Sequence, residues 1–270
     1  MKNNADRRSD ATKNLSSAKT VVCCALNYYQ GPPAPPSKLR GVISSYAWGE
    51  DYHRILETKL KELSSFIEQC ANVTTRYYVD TGPMLEKSYA ASAGLGWVGK
   101  HSNLLSRDGS SWFFLGEILV PIELPIDDEV KDHCGTCNRC IEICPTKAIV
   151  KPYVVDSRLC ISYLTIELRK AIPRKLRPLI GNRIYGCDDC QDVCPWNRFA
   201  RKSEEEVFFP REPLCSMDLI EMLEMSLEDF LDATKKSAIR RARYAGFLRN
   251  VAVALGNSRD TQALPALIRA

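Results

Sequence analysis

The chain has no apolar run approaching the roughly eighteen residues that a membrane-spanning helix needs, and its first twenty residues are polar and charged, without the apolar core of a secretory signal. Neither a membrane protein nor an exported, disulfide-built fold is therefore expected, and the expected location is the cytoplasm. Acidic residues are missing altogether between Lys235 and Arg249. With 270 residues and 45% hydrophobic content there is material for one large core or two modest ones. What the chain has in plenty is cysteine, twelve in all.

Eight of the twelve fall into a pattern. Cys134-x2-Cys137-x2-Cys140-x3-Cys144-Pro145 has the ligand spacing of a two-cluster ferredoxin, in which three thiolates hold one 4Fe-4S cluster and the fourth reaches the other. A second run, Cys187-x2-Cys190-x3-Cys194-Pro195, lacks its first member, because Ile184 stands at that place. Cys160, the only cysteine between the runs, is the best candidate for the missing corner. The expected ligation is crossed: Cys134, Cys137, Cys140 and Cys194 on one cluster, Cys144, Cys160, Cys187 and Cys190 on the other. Such a pair of clusters moves electrons one at a time.

Structural zinc would also use paired cysteines, but it needs neither a third cysteine at the same interval nor a proline after the last. Cys23, Cys24, Cys70 and Cys215 lack ligand spacing and read as small buried hydrophobes.

Three zones separate along the chain. Residues 1–125 alternate strand-like runs (Thr20 to Tyr29, Thr74 to Val79, Ser111 to Val120) with a helix from about Asp51 to Cys70. That helix carries Ile55, Leu56, Leu60, Leu63, Phe66, Ile67 and Cys70 at helical spacing and is expected to pack on a sheet. Gly31 to Pro36 reads as a turn, and the uneven connections point to an α+β zone with a mostly antiparallel or mixed sheet. Residues 126–200 form the cluster zone. Residues 201–270 are helical, with a helix from Ile239 to Gly256 and another from Thr261 to Ala270 resembling the start of a HEAT-like repeat. The charged opening segment and the unfinished repeat suggest a chain cut at both ends.

An isolated electron carrier needs only the cluster zone, so the residues before it are expected to hold an acceptor. Val79-Asp80-Thr81-Gly82-Pro83 puts a carboxyl at the end of a strand before a turn, a place for a catalytic acid at a pocket mouth or for an ordinary Asx-turn. Gly94, Gly96 and Gly99 have the GxGxxG interval, but they follow a helix-like stretch (Met84 to Ala93), which argues against a dinucleotide site. Asp51-x-His53 shares part of a DxHxxG cobalamin signature, yet Leu56 stands in place of its glycine, and His53 reads as a packed helix histidine.

The strings VDTGPMLEKSYAASAGLGWVGKHSNLL, SWFFLGEIL, CGTCNRCIEICPTKAI, CISYLT and IGNRIYGCDDCQDVCPWN together resemble the epoxyqueuosine reductases, cobalamin-dependent iron-sulfur enzymes of tRNA modification related to reductive dehalogenases. The resemblance runs from about Arg7 to the end of the chain. It implies a nitroreductase-like cobalamin-binding domain, a ferredoxin-like domain with two 4Fe-4S clusters and an incomplete HEAT-like region. It further implies reduction of epoxyqueuosine to queuosine in the anticodon loop, electrons reaching cobalamin through the clusters and Asp80 acting as proton donor. Burial against the corrin would lift the acidity constant of such a carboxyl toward neutrality. By resemblance the corrin meets Arg8, Asp80, Lys100, Asn103, Ser162, Tyr185, Gly186 and Asp188, with no histidine as lower ligand. An external donor of the flavodoxin or ferredoxin type is implied, and nothing demands more than a monomer.

Charge speaks to the substrate. Between Arg158 and Arg183 stand seven basic residues against one acid, Glu167, and six more lie from Lys235 to Arg249. Arg169, Lys170, Arg174, Arg183, Arg240, Arg241 and Arg243 are the expected RNA contacts, tracking phosphates while a base is read in the pocket. Two other readings predict different things. A dehalogenase-type corrinoid enzyme would lack the basic flanks, and a ferredoxin-type electron-transfer module would bind no cobalamin.

Overall fold

A computed structural model describes residues 5–32, 37–106, 110–215 and 217–270. The part of the expected Gly31 to Pro36 turn at 33–36 lies outside them. No helix among the described residues is long and apolar enough to cross a membrane. The chain divides into two compact units, each gathered from distant stretches: 1–28, 52–137 and 196–201 in the first, 29–51, 138–195 and 202–270 in the second. The second unit thus joins most of the cluster zone, 138–195, to the helical zone from 202 and to 29–51, and the first takes 126–137 and 196–201.

The first unit is built on a three-stranded antiparallel sheet in which Phe113–Val120 lies between Thr20–Asn27 and Arg76–Tyr78. The middle strand is mostly apolar, Glu117 apart, and is buried over most of its length, as a strand covered on both faces should be. The helix Tyr52–Ala71 packs on it. Its buried face is Leu56, Leu60 and Ser64, whereas Leu63 and Phe66 are exposed, so the expected apolar face is wider than the one the sheet covers. Cys70, expected in a core, is exposed as well. A second helix, Glu86–Ser92, lies against the same sheet.

The glycine series closes a hairpin. Trp97–Val98 pairs with Leu104–Leu105, and a side chain at Gly96 would sit 1.9 Å from the Leu105 carbonyl oxygen. Only glycine lets the strands meet there.

In the second unit Val42–Ile43 pairs in parallel with Arg183–Tyr185. The core collects around helix Tyr244–Ser258, whose Phe247, Val251, Ala254 and Leu255 are almost completely buried. That helix starts later than the expected Ile239, because residues 238–242 form a 3-10 turn and Arg243 takes φ 61°. It packs on Arg183–Tyr185, on Ile161–Ile166 and on Leu219–Glu224. Asn250, buried inside, donates to the carbonyls of Thr165 and Ile184 and joins helix to strand.

Candidate active site and cluster-binding cysteines

In the first unit a line of rings leads to Asp80. Tyr28 stacks on Phe114 at 4.4 Å, Phe114 on Tyr52 at 4.0 Å, and Tyr52 on His53 at 4.2 Å. His53, in the first turn of its helix, places Nε2 3.3 Å from Asp80 Oδ2. Sequence reasoning misses this contact, because the Asp51-x-His53 string points to a ligand signature that it does not complete.

Asp80 follows strand Arg76–Tyr78 in a tight turn closed by Thr81 N–H to Val79 O at 2.5 Å, with φ 46° and a side chain 46% exposed. Behind it lie two carboxyls that sequence reasoning also missed. Glu86 accepts the Asp80 peptide N–H; burial, and then the charge of Asp80, push its acidity constant up to about 7 against the pull of that hydrogen bond, Lys87 and Arg8. Glu117, in the middle strand, is fully buried, and burial with the charge of Glu86 raises it to about 8. The visible signal was an acid inside an apolar strand, FFLGEILV.

Lys100 and Asn103 flank one turn. The buried Lys100 ammonium donates to the carbonyls of Gly135 and Cys137 at 2.7 and 2.9 Å, which fastens the Cys134–Cys137 loop. Asn103 donates its peptide N–H to His101 Nδ1, and its side-chain oxygen accepts a hydrogen bond from the Lys87 ammonium. Burial, then the Lys87 charge, holds His101 down at about 4, so its ring is neutral.

In the second unit the segment after Tyr185 is fixed by serines that the sequence did not flag. Asp188 takes hydrogen bonds from Ser44 Oγ and from Ser45 N–H at 2.7 Å. Gly186 has φ 72°, and a side chain there would strike Ser44 Cβ at 2.4 Å. Tyr185, expected to touch the corrin, is instead fully buried, with its hydroxyl donating to Ala238 O at 2.6 Å and its carbonyl accepting the Ser44 N–H at 2.8 Å. Ser162 lies half-buried in the first turn of helix Ile161–Ile166.

Among the described residues no disulfide joins any of the cysteines, against the disulfide reading. Among the described residues no three His, Cys, Asp or Glu side chains gather closely enough for a single metal ion. The sulfurs are instead surrounded by peptide donors. The Lys100 N–H donates to Cys134, the Ala148 N–H to Cys144 at 3.2 Å, and the Asp189 N–H to Cys187. Cys190 is raised by burial and by the nearby sulfurs of Cys160, Cys140 and Cys144. Crowded thiols that repel one another as anions, with N–H groups aimed at them, are a donor set suited to iron-sulfur clusters, whose charge such hydrogen bonds stabilise.

The comparisons with known proteins point the same way. Residues 133–197 match the family model "4Fe-4S double cluster binding domain", and residues 8–81 match "Epoxyqueuosine reductase QueG, DUF1730". An epoxyqueuosine reductase of Cellulophaga algicola is 45% identical over 252 residues, covering 93% of this chain and 82% of that protein. The chain belongs to the epoxyqueuosine reductase family. The epoxyqueuosine reductase of Escherichia coli K12 is 53% identical over 243 residues, 88% of this chain but 64% of that protein's length. The chain thus spans under two thirds of the length of that relative. A crystal structure of epoxyqueuosine reductase with an epoxyqueuosine-modified tRNA-Tyr stem loop superposes with a TM-score of 0.91 at 29% identity, over 98% of this chain and 71% of that one.

The basic side chains of this epoxyqueuosine reductase-family chain divide into two groups. Arg183, expected on RNA, is locked bidentate on Asp189 at 2.7 and 2.8 Å and also donates to Ile180 O, so its guanidinium is structural. Lys170, Arg174, Arg240 and Arg243 are exposed. So are Arg169 and Arg241, although Arg169 also donates to Ile166 and Ala242 carbonyls and Arg241 pairs with Glu167.

Proposed function

We propose that this chain reduces an epoxide-bearing nucleoside, epoxyqueuosine, to queuosine in the anticodon loop of tRNA. The observation that carries the reading is Asp80: a half-exposed carboxyl on a left-handed turn, held by His53, in a chain whose cysteines suit two clusters. Removing an epoxide oxygen takes two electrons and two protons, breaks both C–O bonds and releases water. Asp80 is the proton donor to the departing oxygen, and His53 orients the carboxyl and restores its proton.

When bound, two 4Fe-4S clusters and a cobalamin supply the electrons. Cys134, Cys137, Cys140 and Cys194 would hold one cluster, and Cys144, Cys160, Cys187 and Cys190 the other. The residues that could meet a corrin are Arg8, Asp80, Asn103, Ser162, Gly186 and Asp188; the Lys100 ammonium is spent on the Gly135 and Cys137 carbonyls, and the Tyr185 side chain is buried. Of the histidines, His53 lies against Asp80, and His101 accepts the Asn103 N–H at Nδ1. The exposed arginines and lysines of the second unit suit phosphate contacts, and an external one-electron donor of the flavodoxin or ferredoxin type would supply the clusters.

The test is Asp80→Asn, compared with wild type after anaerobic reconstitution, for iron and cobalt content and for turnover of an epoxyqueuosine stem loop. Metal content is expected to be unchanged and turnover to fall by roughly 10²- to 10⁴-fold. An Asp80→Asn enzyme of wild-type rate would remove Asp80 from the mechanism.

A further inference from the structure

The carboxyls behind Asp80 are built to do more than fill space. Both oxygens of Glu117 and Oε1 of Glu86 are buried without a hydrogen-bond partner among the described residues. An interior carboxylate left in that state is costly, so the pair must hold a proton. Asp80 meanwhile sits at φ 46°, a conformation that a non-glycine residue keeps only where its surroundings hold it. Besides the His53 contact on its side chain, a bond from outside the turn runs from the Asp80 peptide N–H to Glu86.

We propose that Glu86 is the positioning residue of the Asp80 loop: its carboxylate latches the Asp80 peptide N–H, and protonation of Glu86 loosens the latch, while Glu117 beneath it stores the proton that keeps the pair from carrying two charges. The inference rests on the reading of Asp80 as proton donor and adds a control over where that donor stands.

The surroundings of the pair are mixed. Arg8 and Lys87 favour the anion of Glu86, and Asp80 opposes it. From strand Thr20–Asn27 come Cys23 and Cys24, whose thiols Glu117 and burial raise, and Tyr89 on the helix of Glu86 lies near Asp10, Cys23 and Glu117. The hairpin strands Trp97–Val98 and Leu104–Leu105, packed on the same helix, bring no titratable side chain. The first proton to leave the pair on raising pH is that of Glu86, at about 7, and the second that of Glu117, at about 8. A neutral Glu86 still offers a carbonyl oxygen, but hydrogen bonds to ionised acceptors are roughly twice as strong. The latch therefore tightens as pH rises through neutrality.

Hydrogen exchange of the peptide covering residues 79–85, read by mass spectrometry from pH 6 to 9 and corrected for intrinsic rates, tests this without any turnover. In the wild-type chain, protection of the Asp80 amide should rise about tenfold through pH 7, the worth of one charge-assisted bond. Glu86→Gln, which keeps the shape and an acceptor but does not titrate, should show intermediate protection independent of pH. Glu86→Ala should lose protection at every pH, and Glu117→Gln should keep the step near pH 7. Unchanged protection in Glu86→Ala, or a surviving pH step in Glu86→Gln, overturns the proposal. Failure of the catalytic reading looks different: Asp80→Asn would then turn over normally while the exchange results stand.

Discussion

At the scale of single residues, the acid that stands out physically is not the one the sequence advertises. Asp80 was visible as a carboxyl before a Gly-Pro turn, but Glu117 shows only as one charge in an apolar strand, and its burial depends on a sheet that local patterning does not determine. Its folded-state acidity constant is raised from 4.5 to about 8. The folded chain therefore binds a proton that the unfolded chain gives up, and stability drains away as pH rises from the ordinary glutamate range through about 8. Glu117→Gln mimics the protonated acid and removes that loss. It should leave unfolding unchanged at pH 4 and stabilise the protein at pH 9 by up to about 5 kcal/mol, read from denaturant or thermal melts. Equal stabilities at both pH values would show that Glu117 is not a buried titrating group.

At the scale of elements, legibility followed the strength of the local pattern. The helix from Tyr52 and the strands at Thr20 and Phe113 were readable from periodicity alone. The exposed Phe66 and Leu63 were misjudged because amphipathic spacing defines an apolar face and not how much of it a sheet covers. Arg243 at φ 61° ends a 3-10 turn and delays the C-terminal helix, a break with no glycine or proline to announce it. The Gly94, Gly96 and Gly99 series was readable as not a nucleotide loop, though its use in a hairpin needed the pairing partner. Gly96→Ala should force that hairpin apart, since the new methyl would overlap a backbone oxygen at 1.9 Å. We expect a destabilisation of about 3 kcal/mol or more, with Gly99→Ala, which meets side chains rather than backbone, costing less in the same melts.

At the scale of the whole molecule, the double-cluster domain was legible because ligand spacing is a local property: the two cysteine runs fall inside the matched residues 133–197. The fate of the basic residues was not. Arg183 and Arg169 belong to the same basic stretch, yet one is spent on Asp189 and the other is exposed, a distinction only the packing makes. Binding of a tRNA stem loop should weaken steeply with salt. Replacing Arg240 and Arg243 by Glu should reduce affinity and flatten the salt slope, whereas Arg183→Lys should chiefly lower stability; a slope unchanged by the double replacement would place the RNA elsewhere.

The central claim is that eight thiols of this chain carry two iron-sulfur clusters that supply electrons to chemistry at Asp80. The most direct measurement is iron and zinc analysis with electron paramagnetic resonance on oxygen-free, reconstituted protein. The account predicts about eight irons per chain in two clusters of four, with Cys160→Ala losing one cluster and keeping the other. About four irons in the wild-type chain, or zinc in their place, would contradict it.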